Sequence, residues 1–110
     1  MEAAKSRFRV VLTTAGSDEQ AEAIARALVD RRVAACVNIV GQTCSVYRWK
    51  GEVVREEEKL LVIKTTAAQF PRLCETIREI HTYEVPEILS LPVPEGDPAY
   101  LAWVDENTED

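Results

Sequence analysis

ACVNIVGQTCSVYRWKGEVVREEEKLLVIKT, residues 35–65, reads as one long β-hairpin folded at Lys50 and Gly51. Each arm holds about 14 residues, against about 5 to 6 in an ordinary strand. At about 3.3 Å per residue such an arm reaches ~45 Å, whereas a compact chain of 110 residues is only ~35 Å across. The tip therefore projects. It carries Tyr47, Trp49 and Val54, and apolar groups on a projecting ribbon need another surface to cover them. The simplest such surface is a second copy of the chain in a closed symmetric arrangement that leaves no strand edge open. With Lys50 and Gly51 as the central turn residues, Tyr47 faces Val54 and Ile39 faces Val62. A bulge at Gly41, which interrupts the first arm, would shift the inner register by one.

The flanks supply the rest of the fold. Upstream, Phe8–Leu12 is an apolar run broken by Arg9 and bounded by Thr13, Thr14, Ala15 and Gly16, which predicts a strand buried on both faces. A helix follows from Ser17, which with Gln20 forms a capping-box pattern; Asp18 and Glu19 suit its positive end, Arg31 and Arg32 its negative end. Ala21, Ile24, Ala25 and Leu28 line its inner face. Downstream, Ala67 to about Ile80 predicts a second helix with Phe70, Leu73, Cys74, Ile77 and Ile80 on one face and Pro71 in its first turn. Glu87–Val93 predicts an edge strand, given Pro86, Pro92 and Pro94. Asp97 caps a short last helix with Pro98 at its first position, docked by Tyr100, Leu101, Trp103 and Val104; Glu106–Asp110 is expected to fray. The order βαββαβ plus a C-terminal α is an α+β, ferredoxin-like split βαβ sandwich. The whole chain, 1–110, is expected to form one domain with its core at about 7–105.

Composition narrows the function classes. With 46% apolar and 29% charged residues the chain is an ordinary globular protein, and its net charge of −6 offers no field for nucleic acid or anionic lipid. No apolar stretch approaches the length of a membrane span, and Met1–Arg7 lacks the apolar core of a secretory leader, so a cytoplasmic location is expected. Cys36, Cys44 and Cys74 are odd in number and lack CxxC spacing, and each reads as a small buried apolar residue. The charges of Arg55–Lys59 read as a solvated stretch that guards the ribbon against aggregation.

Catalytic patterns do not emerge: there is one histidine and no GxSxG, phosphate loop or HExxH. The chain is therefore read as a non-enzyme. The segment His81, Thr82, Tyr83, Glu84, Val85, Pro86, Glu87 and Ile88 gathers an imidazole, a phenol and two carboxylates. His81, Glu84 and Glu87 suit a divalent metal ion such as copper or zinc. Alternatively, His81 only caps the end of the second helix.

AACVNI (34–39), SVYRWKG (45–51), KTT (64–66), HTYEVPEI (81–88) and YLAW (100–103) together resemble the divalent-cation tolerance family, CutA. The resemblance runs from Val11 to about Val104. It implies a homotrimer whose hairpins interlock around a three-fold axis, a link to tolerance of copper and other divalent metals, and metal binding in some members. Where the best-known bacterial member has a cysteine and two adjacent histidines associated with copper, this chain has Thr13, Ile80 and His81, so only His81 matches. The resemblance also places the aromatic hairpin beside a neighbouring subunit, so that Tyr47, Trp49, Lys64, Tyr83 and Glu84 would line a cleft between chains for a small ligand or ion. The leading expectation is a trimeric divalent-cation binding or tolerance protein. The alternatives are a small-molecule sensor resembling the PII-type regulators, and a stable trimeric scaffold. Expected partners are further copies of itself and divalent cations or a small ligand, with neither nucleic acid nor membrane.

Overall fold

The computed structural model describes residues 6–109. Strand β1 (Phe8–Ala15), helix α1 (Asp18–Asp30), strands β2 (Cys36–Trp49) and β3 (Glu52–Thr66), helix α2 (Phe70–Ile80), strand β4 (Leu89–Val93) and helix α3 (Pro98–Glu106) follow in that order. The four strands form one antiparallel sheet in the order β2-β3-β1-β4. This is the ferredoxin-like α+β arrangement expected from the sequence. Packing is one-sided. Val11, Leu61 and Ile63 of the sheet meet Ile24 and Leu28 of α1 and Leu73 and Ile77 of α2 in one buried cluster. Period-2 alternation sends the intervening residues, such as Val10, Leu12, Leu60 and Val62, to the opposite, more open face.

The hairpin has the predicted turn and the predicted shift. Lys50 and Gly51 lie at φ 50° and 85°, the left-handed pair of a two-residue hairpin turn. Tyr47 pairs with Val54, but Ile39 pairs with Leu61 rather than Val62, because the register shifts between Val40 and Thr43. Gly41 and Gln42 together oppose Lys59, and Gln42 rather than Gly41 takes the left-handed conformation, at φ 58°. The extra residue reverses which side of the ribbon odd positions of β2 occupy. Ile39 lies on the helix side with Leu61, whereas Ser45, Tyr47 and Trp49 share the open side with Glu56, Val54 and Glu52. The longest dimension of the molecule is 43 Å and its radius of gyration is 14.4 Å, larger than the ~13 Å of a compact chain of this length. Val46 and Val53 near the tip are 65% and 64% exposed.

Several expectations change. The last strand begins at Leu89, not Glu87. Extending the β1–β4 register backwards would set Glu87 against Thr14, whose carbonyl already accepts a hydrogen bond from His81. Ser17 caps α1 by accepting from the Gln20 amide at 3.1 Å, but the Gln20 side chain does not return the bond; it holds the Ile80 carbonyl and the Thr82 amide instead. The second helix starts with a 3₁₀ turn, Ala67–Gln69, before Phe70. Val104 docks α3, while Tyr100 and Trp103 stay exposed and stack on each other at 5.7 Å. The tail does not fray as far as Glu109: its amide donates to the Arg32 carbonyl, and Gln69 and Arg72 bind its carbonyl and carboxylate. Asp110 and Met1–Lys5, on which part of the leader reading rests, lie outside the described residues. Of the three cysteines Cys74 is buried, Cys36 half-buried and Cys44 exposed.

Candidate functional site

A cleft opens where the outer hairpin passes the loop between α2 and β4. The hairpin contributes Tyr47, Trp49, Glu56 and Glu58, and the loop contributes Tyr83, Glu84 and Glu87, around a cavity of about 770 Å³. The bulge makes this possible, since it is what turns Tyr47 and Trp49 to the side of Glu56 and Glu58. Thr14 closes the floor where β1 ends.

The loop is pinned at three points. Its first residue, His81, ends α2 by donating its amide to the Ile77 carbonyl at 2.8 Å. The imidazole then joins two elements: Nε2 lies 2.7 Å from the Thr14 carbonyl oxygen, and Nδ1 accepts the Tyr83 amide at 3.0 Å. A carbonyl can only accept and an amide N–H can only donate, so these partners define a neutral ring with its proton on Nε2. The Tyr83 ring packs beside it, centroids 4.5 Å apart, and its hydroxyl donates to Glu58 Oε2 at 2.6 Å. Gly16 leaves room for this: a Cβ there would stand 3.1 Å from the Tyr83 hydroxyl. Burial, followed by the Glu58 hydrogen bond and the charges of Glu58 and Glu56, holds the Tyr83 phenol protonated well above its usual range.

These contacts bear on the ligand set expected for a metal. Both nitrogens of His81 are committed within the fold, so the ring has no lone pair to offer a cation while the loop is in place. His81 is absent from the cavity wall, whereas Glu84 and Glu87 line it. Among the described residues no group of three or more His, Cys, Asp or Glu side chains is placed to hold a metal ion. Of the expected cleft residues, Tyr47, Trp49, Tyr83 and Glu84 meet within one chain. Lys64 does not: its ammonium binds Asn38 Oδ1, and six residues of strand separate it from Glu58, about 20 Å.

Glu58 is the residue that the sequence reading missed. It is only 6% exposed, in the middle of a charge run read as solvated. The signal was available: once Tyr47 pairs with Val54, alternation along β3 puts Val54, Glu56 and Glu58 on the Tyr47 face. Tyr47 binds Glu56 through its hydroxyl. Among the described residues none of Glu56, Glu58, Glu84 and Glu87 takes part in an ion pair.

With this geometry in hand, the comparisons with known proteins agree with one another. The family model "CutA1 divalent ion tolerance protein" matches residues 9–107. The divalent-cation tolerance protein CutA of Thermus thermophilus is 54% identical over 99 residues, 90% of this chain and 96% of that protein. A solved structure of the Thermus protein superposes with a TM-score of 0.91 at 53% identity, covering 93% of this chain and 99% of that one. Mouse protein CutA is 46% identical over 87% of this chain, which spans 54% of the mouse protein's length. The structure described as the periplasmic divalent cation tolerance protein CutA of Archaeoglobus fulgidus is 32% identical, with a TM-score of 0.90 over 93% of this chain and 99% of that one. Among the described residues no helix is long and apolar enough to cross a membrane. The chain belongs to the CutA1 divalent ion tolerance protein family.

Proposed function

We propose that this protein is a homotrimeric, non-enzymatic divalent-cation binding or tolerance protein that meets cations through carboxylate oxygens in the hairpin-loop cleft. The observation that carries this reading is the cleft's charge. Glu56, Glu58, Glu84 and Glu87 surround one cavity and, among the described residues, none of them is in an ion pair, so their charge is open to an entering cation. Trimer formation is supported by the apolar groups the single chain leaves uncovered: Val46, Tyr47, Trp49 and Val53 on the hairpin, Leu89 and Leu91 on the edge strand β4. A neighbouring copy would close the cleft and complete its ligand set.

The donor chemistry bears on which ion. Oxygen-only sites suit magnesium, calcium and manganese, whereas copper and zinc prefer imidazole or thiolate. Copper or zinc would gain an imidazole here only if His81 released Thr14 or Tyr83. Calorimetric titration of the intact oligomer with copper, zinc and manganese tests the reading. The double variant Glu84→Gln/Glu87→Gln is expected to weaken binding at least tenfold. Isotherms identical to those of the wild type would contradict it. His81→Ala is expected to weaken binding less, through the loop it anchors. The cytoplasmic location expected from the sequence belongs to this proposal too, and fractionation of the source cells checks it.

A second reading, the small-molecule sensor, is favoured by size. The cavity of about 770 Å³ falls in the usual ~300–1,000 Å³ range of small-molecule sites. It far exceeds the space a single hydrated ion needs, since each water takes about 30 Å³.

A further inference from the structure

We propose that the cleft is a receptor for an organic ammonium cation, seated against the rings of Tyr47, Trp49 and Tyr83 and neutralised by Glu58, Glu84 and Glu87. This rests on the sensor reading and names its ligand class.

The walls argue first. Three aromatic side chains converge on one cavity from two separate elements, the hairpin and the α2–β4 loop. Aromatic faces attract weakly hydrated alkylammonium groups, whereas a metal ion requires several oxygen atoms within about 2.0–2.6 Å. Among the described residues no metal-holding group of that kind exists. The charge argues second. Among the described residues no lysine or arginine lines the cavity. Glu58, 6% exposed, has the Tyr83 hydroxyl as its hydrogen-bond partner and, among the described residues, no ion pair. A buried carboxylate without a cation is costly, and a cation in the cavity relieves that cost. An anion would be repelled by the four carboxylates, and a neutral ligand would leave the buried charge unpaired.

The chain itself supplies a third, independent observation. The ammonium of Lys50 stands 5.8 Å from the centroid of the Trp49 ring, which still remains 40% exposed. An alkylammonium group therefore already stands over this ring, which itself lines the cleft. Volume agrees, because the cavity admits a head group of several carbon atoms together with its alkyl chain.

The test uses the intact oligomer in a Trp103→Phe background, so that Trp49 is the remaining tryptophan and is excited selectively at the red edge of the absorption band. Choline chloride is titrated against 3,3-dimethylbutan-1-ol, its uncharged carbon isostere, at constant ionic strength, with manganese chloride as a metal arm. Choline should saturate the signal at least tenfold more tightly than the alcohol. By calorimetry on the wild-type background, Trp49→Leu should weaken choline about fivefold or more. Since Trp49→Leu can disturb assembly, the exposed pair Glu84→Gln/Glu87→Gln provides a second variant, expected to weaken choline to a similar degree. Lys50→Asn, which removes the competing ammonium, should tighten it. Equal affinity for choline and the alcohol overturns the proposal, as does an oligomer structure with a lysine or arginine of a neighbouring copy seated between Glu58 and Trp49. Manganese binding without choline binding overturns the ligand class while the cation cleft stands. Silence from both overturns the ligand class and the cation reading together.

Discussion

The inner and outer halves of the hairpin are built from the same two strands and come to opposite ends. In the inner half, Leu61 and Ile63 of β3 are fully buried under α1 and α2, and Val37 packs against the same cluster. In the outer half, Val46 and Val53 are largely exposed, and Tyr47 and Trp49 stand at a cleft rather than in a core. Gly41 and Gln42 separate the two. The bulge reverses the alternation of β2, so the face on which Val37 packs against the core would otherwise have carried Tyr47 and Trp49 as well. One inserted residue divides the half of the ribbon that joins the core from the half that stays exposed.

Deleting Gln42 is the severest way to break that division. Without the extra residue Tyr47 and Trp49 turn to the helix side of the ribbon, and both the cleft and the proposed subunit contact are lost. Light scattering should then report a single chain instead of an oligomer, with the circular dichroism of the inner sheet retained. An unchanged mass would mean that the bulge does not govern assembly. Next comes the inner half itself. Leu61→Ala leaves a cavity in the core and should cost about 2–5 kcal/mol in urea unfolding, whereas Val53→Ala at the tip should change the stability of the isolated subunit by less than about 0.5 kcal/mol.

Tyr83→Phe acts between the two halves, where the loop meets the outer hairpin. It removes the donor to a buried carboxylate and should cost about 1.5–3 kcal/mol. It should also alter the alkaline limb of the stability curve. Because the folded protein holds the Tyr83 proton more tightly than the unfolded chain does, this phenol contributes fully below its ordinary value near pH 10 and loses that contribution as the pH rises towards the raised folded value. Denaturation followed from pH 8 upward should therefore fall less steeply in the variant than in the wild type. The mildest change sharpens the bulge instead of breaking it. Gln42→Gly relieves a side chain at φ 58° and should stabilise the protein by about 1 kcal/mol.

The same contrast explains what could be read from the chain. The hairpin, its turn at Lys50 and Gly51 and the one-residue shift are local features, set by alternation and by the residues that tolerate positive φ, so they were legible. That His81 ends α2 was legible too, but the commitment of its imidazole was not. Its imidazole is committed by a carbonyl at Thr14, far away in sequence, and by the Tyr83 amide, which lies in place only once the loop has wrapped over Gly16. Glu58 was misread for a related reason: a run of charges signals solvent only where nothing packs over it, and Tyr83 does. The aromatic pair Tyr100 and Trp103 shows the reverse error. Apolar spacing predicted docking, yet within one chain only Val104 of that face is buried.

All of this depends on the outer hairpin having a surface to meet. The most direct measurement is the mass of the protein in solution by size-exclusion chromatography with multi-angle light scattering at micromolar concentration. The account predicts a stable species of three times the 12.3 kDa chain mass, and a monodisperse species of 12.3 kDa would contradict it.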